Sequence, residues 1–188
     1  MKHLVALGLL AATLTACGPI PRSVTVLSAT GGAWPQVLTA LQGGPIPVTV
    51  IGAAYPGATA DESLALIEHA VTTGITWYPA KVVDGRGLDP LPSNHMVWLM
   101  DASSGTDPAP LCTGSLAPKT AGTADPDRIH MLAALCSGGH VYTAVQGSVD
   151  RSPEDPMAAP DRLARQMVRQ LADYGKVEQD DDVEWVSR

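Results

Sequence analysis

Apolar positions along this chain change their period several times, and each change predicts a different element. Ser23 to Ala29 (SVTVLSA) is a β-branched run of strand type, broken by Thr30-Gly31-Gly32. Pro35 suits a first helical turn, so a short helix is expected to Leu41, ended by Gln42-Gly43-Gly44. Pro47 to Ala53 (PVTVIGA) is a second apolar strand. Thr59 with Glu62 forms a capping box ahead of a longer helix. Leu64, Ile67, Ala70 and Val71 share one stripe of that helix, while Asp61, Glu62, Glu68 and His69 lie largely elsewhere, and Gly74 ends it. Strand, helix, strand, helix in this order predicts a crossover joining a parallel pair of strands.

The period then becomes that of strands and turns. Ile75 to Val83 and His95 to Asp101 read as an antiparallel hairpin around the turn-rich Asp84 to Pro90. Met96 to Met100 is apolar at every position, as in a central strand covered on both faces. Ala102 to Arg128 is a Ser, Gly, Thr, Pro and Asp-rich connection, far longer than the usual four to six or so residues. Ile129 to Leu135 reads as a short apolar helix or turn, and His140 to Val149 as a strand. Pro160 opens a helix to Tyr174 with Leu163, Met167 and Leu171 on its buried face beside Ala164 and Val168; Gly175 ends it. The expected fold is α/β to α+β: one domain with a mixed sheet of about five strands, an N-terminal βαβ unit and three to four packing helices.

Ahead of the first strand the pattern is that of a targeting segment. Lys2 supplies a positive start, Leu4 to Leu14 a short apolar run, and small residues lead into Cys17. That run is shorter than the roughly 20 residues a membrane-crossing helix needs. Leu14 also sits badly in an ordinary cleavage site, which wants small residues one and three positions before the cut. Leu14-Thr15-Ala16-Cys17 instead resembles the lipobox of bacterial lipoproteins. The resemblance implies removal of residues 1–16, acylation of Cys17 as the new N-terminus, and attachment to the membrane through those acyl chains. Two or three chains hold a protein on a bilayer with no help from its folded part. Gly18, where Asp would favour retention, resembles lipoproteins sent on to the outer membrane, facing the periplasm, with the plasma membrane as the alternative address. Residues 17–22 then form a tether, 23–175 the domain, and 176–188 an acidic tail around Asp180-Asp181-Asp182.

Charge narrows the partners. Twelve Lys and Arg stand against 19 Asp and Glu, and loss of Lys2 with the leader shifts the formal net charge from −7 to −8. Nucleic acid and anionic lipid both need clustered positive charge, so neither is expected as a partner. An envelope protein partner fits better. Gly and Pro are numerous, 18 and 16, but lie between strong apolar runs, which points to ordered loops on a packed core.

Candidate chemistry is sparse. Cys112 and Cys136, the two cysteines left in an exported domain, are expected to pair, contributing about 3 to 4 kcal/mol in the chain-entropy picture and tying the long connection to the core. No Gly-x-Ser-x-Gly elbow is present; Ser137 beside His140 is the best remaining nucleophile and base pair, and would make the chain a membrane-tethered hydrolase. His69, His95, His130 and His140 lack metal-ligand spacing, and Asp84, Asp89, Asp101 and Asp107 are scattered among turns. Neither metal nor cofactor is expected. Thr30-Gly31-Gly32 with Tyr55 marks strand ends where open α/β sheets hold small ligands. Arg162, Arg165 and Arg169 share a stripe of the last helix, and Trp77 and Trp98 are expected in the core. Together these features favour a non-enzymatic binding or assembly module, with the connection around Cys112 as its contact surface.

Overall fold

A computed structural model of the chain describes residues 23–29, 42–115, 125–152 and 154–184. Cys17, Thr30 and the helix expected from Pro35 to Leu41 lie outside the described residues. Six strands and three helices are found among those described: β1 (Ser23–Ala29), β2 (Ile46–Ile51), α1 (Ala60–Gly74), β3 (Val82–Asp84), β4 (Asn94–Met100), α2 (Ala109–Cys112), β5 (Arg128–Ser137), β6 (His140–Asp150) and α3 (Ala158–Glu184). They form one open mixed sheet in the order β1-β6-β5-β4-β2-β3, an α+β fold. Strand β5 pairs antiparallel with both β4 and β6, and β1 pairs antiparallel with β6. β2 lies parallel to both β4 and β3.

Three expectations need correcting. β1 and β2 are not partners: β6, β5 and β4 lie between them, and the alternation of directions makes them antiparallel. The βαβ unit is β2, α1 and β3, one strand later than the sequence pattern placed it. The hairpin expected between residues 75–83 and 95–101 does not form, because β2 takes the place between β3 and β4. Gly85 shows how the chain turns there. Its N–H donates to the Val48 carbonyl at 2.9 Å, and a Cβ on it would stand 2.7 Å from Thr49 Oγ1. Finally, residues 129–135 belong to strand β5, not to a helix or turn. Met, Leu and Ala favour helix when isolated, but ten residues registered between β4 and β6 outweigh that local preference.

Both faces of the sheet are apolar. On one face α1 and α3 cover Val48, Met96, Trp98, Met131, Ala133 and Val145. The stripe read from the sequence is the one α1 buries, with Ile67, Ala70 and Val71 in the core, Leu66 added, and Leu64 at its margin. Thr59 caps α1 as expected: its Oγ1 accepts from the Glu62 N–H at 3.2 Å while Glu62 Oε2 accepts from the Thr59 N–H at 2.8 Å. On α3, Leu163, Ala164, Met167, Val168 and Leu171 are all buried. Its backbone runs on through Gly175 to Glu184, since one glycine in a helix costs only about 1 kcal/mol relative to alanine. Trp98 is fully buried, whereas Trp77 is 37% exposed beside Tyr78, outside the core that was expected to hold it.

Two glycines set how closely α3 lies on its neighbours. A Cβ on Gly147 of β6 would meet Leu163 Cδ1 at 2.7 Å, and one on Gly74 would meet Val168 Cγ1 at 2.9 Å and the Arg165 carbonyl at 3.3 Å. Gly74→Ala is therefore expected to lower stability by about 1 to 3 kcal/mol through overpacking, more than the propensity gained at a helix end. Urea unfolding checks this; a midpoint at or above that of the parent would show that α3 yields freely.

Candidate functional site

The opposite face of the sheet has no long helix over it among the described residues. Val97, Leu99, Leu132, Ala134, Cys136 and Ala144 lie there, covered by Ala102, Leu111 and Cys112 of the connection after β4. That connection needs external support, because α2 is a single turn and small polar residues bury little area. Three attachments supply it. At the start, Asp101 adopts a left-handed φ of 52° and its Oδ1 accepts from Arg151 Nη2 at 3.0 Å. Arg151 also reaches the returning end, donating from Nε to the Asp125 carbonyl at 3.3 Å and from its backbone N–H to the Asp127 carbonyl at 2.9 Å. In the middle, Gln146 Nε2 donates to the Ser103 carbonyl at 2.7 Å and its Oε1 accepts from the Gly105 N–H at 3.2 Å. Further on, Cys112 and Cys136 form the expected disulfide, with Cα atoms 5.3 Å apart.

Between these points Ser103, Ser104, Gly105, Thr113 and Ser115 are exposed. The surface is thus a fixed backbone carrying hydroxyls, with Asp107 as its carboxylate, whose Oδ1 accepts from the Ala109 N–H at 3.0 Å. Pre-fixed polar loops bind partners without a large ordering cost. Residues 116–124 of the connection lie outside the described residues.

Beside the Arg151 anchor, at the carboxyl ends of β2 and β4, a groove of about 820 Å³ opens. Asp125, Asp127 and Asp150 line it together with Arg128 and Arg151, and Pro56, Ser152 and Pro156 complete the rim. Arg128 Nε lies 3.6 Å from Asp150 Oδ1, and His130 Nε2 lies 3.8 Å from Asp125 Oδ2. The Asp127 backbone N–H, donating to Asp125 Oδ1 at 2.9 Å, holds the Asp125 carboxyl below the usual aspartate range; His130 and Arg128 add smaller pulls in the same direction.

The remaining candidates are dispersed. Ser137 and His140 flank the two-residue Gly138-Gly139 turn, but Ser137 Oγ lies 3.4 Å from Ser93 Oγ, and among the described residues no carboxylate ion-pairs with His140. Tyr55 follows β2 at the groove end of the sheet, whereas β1 delivers Ala29 to the opposite end; Thr30 itself lies outside the described residues. His95 is buried with Nδ1 donating to the Pro92 carbonyl at 2.9 Å, and its Nε2 meets no partner among the described residues. No group of three His, Cys, Asp or Glu suited to a metal occurs among the described residues. Asp84 pairs with Arg86, which also holds Asp61 at 2.6 Å. On α3, Arg165 bonds Asp161 at 2.6 Å within the helix, and Arg169 is exposed. Arg151 and Gln146, which hold the connection, were invisible in the sequence; Gln146 lies 43 residues from Ser103, Arg151 lies 50 from Asp101 and 26 from Asp125, and neither belongs to a motif.

No family model matches the chain, and no curated protein does. Among solved structures it is similar to the PelC dodecamer from Paraburkholderia phytofirmans, with 12% sequence identity and a TM-score of 0.44 over 80% of this chain and 96% of that one. At that score the shared architecture is too slight to speak to function.

Removing the disulfide with Cys112→Ala and Cys136→Ala is expected to cost about 3 to 4 kcal/mol and to speed amide exchange over residues 103–115. Unchanged exchange there would mean that Arg151 and Gln146 suffice alone. Asp125, with its folded pKa lowered, contributes stability that is present above the unfolded aspartate pKa of about 3.9 and is lost as pH falls through the lower folded value. Carboxyl NMR titration checks it: Asp125 should titrate below ordinary aspartates, and a midpoint at or above their range contradicts the Asp127 contact.

Proposed function

We propose that the chain is a bacterial envelope lipoprotein, held by acyl chains on Cys17, whose domain is a non-enzymatic binding or assembly module with the 101–115 connection as its contact surface. Outer-membrane attachment facing the periplasm is the favoured address. The lipobox Leu14 to Cys17 supports the anchor. The observation that carries the module reading is the three-point fixation of an exposed, hydroxyl-bearing connection by Arg151, Gln146 and the disulfide. The mixed-charge groove favours a second reading, small-ligand binding, in which Arg128 and Asp127 meet the ligand.

Photo-crosslinking in living cells separates these readings. With a benzophenone amino acid at Ser104 or Thr113, one discrete envelope protein adduct is expected, absent when the probe replaces Arg169 on α3. Cys17→Ala should lose both the acyl mass and the membrane fraction. Adducts from all three positions alike, or from none, would count against the contact surface while leaving the anchor standing.

A further inference from the structure

We infer that the groove end of the sheet faces the bilayer and that the groove receives the headgroup of a zwitterionic phospholipid, an inference that rests on acylation of Cys17. The direction of β1 sets the geometry. Ser23, its first residue, pairs with Ser148, two residues before Asp150 on the groove wall, so the upstream chain leaves the sheet at that end. Six residue steps separate Cys17 from Ser23, a reach of about 20 Å even when fully extended. The far end of β6, at His140, stands about 26 Å further along the strand at roughly 3.3 Å per residue. The groove is therefore on the tethered end and the Gly138-Gly139 turn on the free one.

Chemistry at the tethered end fits that neighbour. Three carboxylates and two guanidiniums line one groove, an arrangement that repels a purely anionic headgroup but matches a phosphate joined to an ammonium. Arg128, with its side chain 41% exposed and its Nε 3.6 Å from Asp150 Oδ1, suits the phosphate; exposed Asp127 suits the ammonium. Met157, next to rim residue Pro156 and 51% exposed, is the most exposed large apolar side chain among those described. Its thioether can rest at the interface without crossing it.

The test uses full-length, acylated protein in vesicles of phosphatidylethanolamine with a minor share of phosphatidylglycerol. Met157→Cys, Ser152→Cys and His140→Cys are each labelled with a bulky maleimide, in vesicles and in detergent. Labelling at Met157→Cys and Ser152→Cys should slow about tenfold in vesicles while His140→Cys keeps its detergent rate, and adding Arg128→Gln should restore much of the lost rate. Equal slowing at all three positions, or slowing at His140→Cys alone, overturns the orientation. Equal protection in vesicles of phosphatidylglycerol alone overturns the headgroup assignment. Intact mass is read on the same samples: an acylated protein that shows no protection sinks this inference and spares the lipoprotein reading, whereas an unacylated Cys17 overturns both.

Discussion

Burying both faces of β4 and β5 is the constraint from which the rest of the structure follows. Their residues alternate between Trp98, Met131 and Ala133 on one side and Val97, Leu99 and Leu132 on the other, and all are buried. Removing a Leu or Ile side chain's worth of such contact typically costs about 2 to 5 kcal/mol, so neither face can be left to water. On the first face the solution is ordinary: two amphipathic helices, brought close by Gly74 and Gly147. On the second, described coverage comes from a connection with one helical turn, too short to hold itself in place. Arg151, Gln146 and the disulfide supply from outside the segment the order that its own sequence lacks.

This division explains which parts of the fold were legible in the sequence. The buried faces of the two long helices were, because their order is local: the Thr59 and Glu62 cap, the α1 stripe and the Leu163-Met167-Leu171 face are all set by residues within a few turns of one another, whereas the single turn of α2 and the run of α3 beyond Gly175 were not read. Strand β4 was legible from five consecutive apolar residues. Pairing was not. Nothing local told Ser23–Ala29 that β6 would be its neighbour rather than β2, or told residues 129–135 that two strands would enclose them. Of the candidate site, the cysteine pair was readable because two cysteines without metal-ligand spacing have few other fates once export is expected from the leader. The Arg151 anchor was not, since an arginine after a strand looks the same whether it points to water or bridges Asp101 and Asp125.

The anchors also divide the surface by direction. The groove opens at the end of the sheet where β1 begins, while the connection lies across a broad face, roughly at right angles to it. The proposed anchor at Cys17 would therefore leave one surface toward the membrane and another facing sideways. Arg151 belongs to both surfaces, lining the groove and holding the ends of the connection.

The edge of the sheet at β1 carries a different consequence. Ser23–Ala29 has no charge and no proline, the composition that invites a neighbouring chain to add a strand. Its pairing with β6 slips between Val26 and Ser28, so the outer rim runs straight for only its first part before the spacing of its amides changes. A second chain laid along it would match at the start and lose step halfway. The irregularity at Leu27 thus shortens the regular stretch that this edge, outermost among the described strands, presents to another chain.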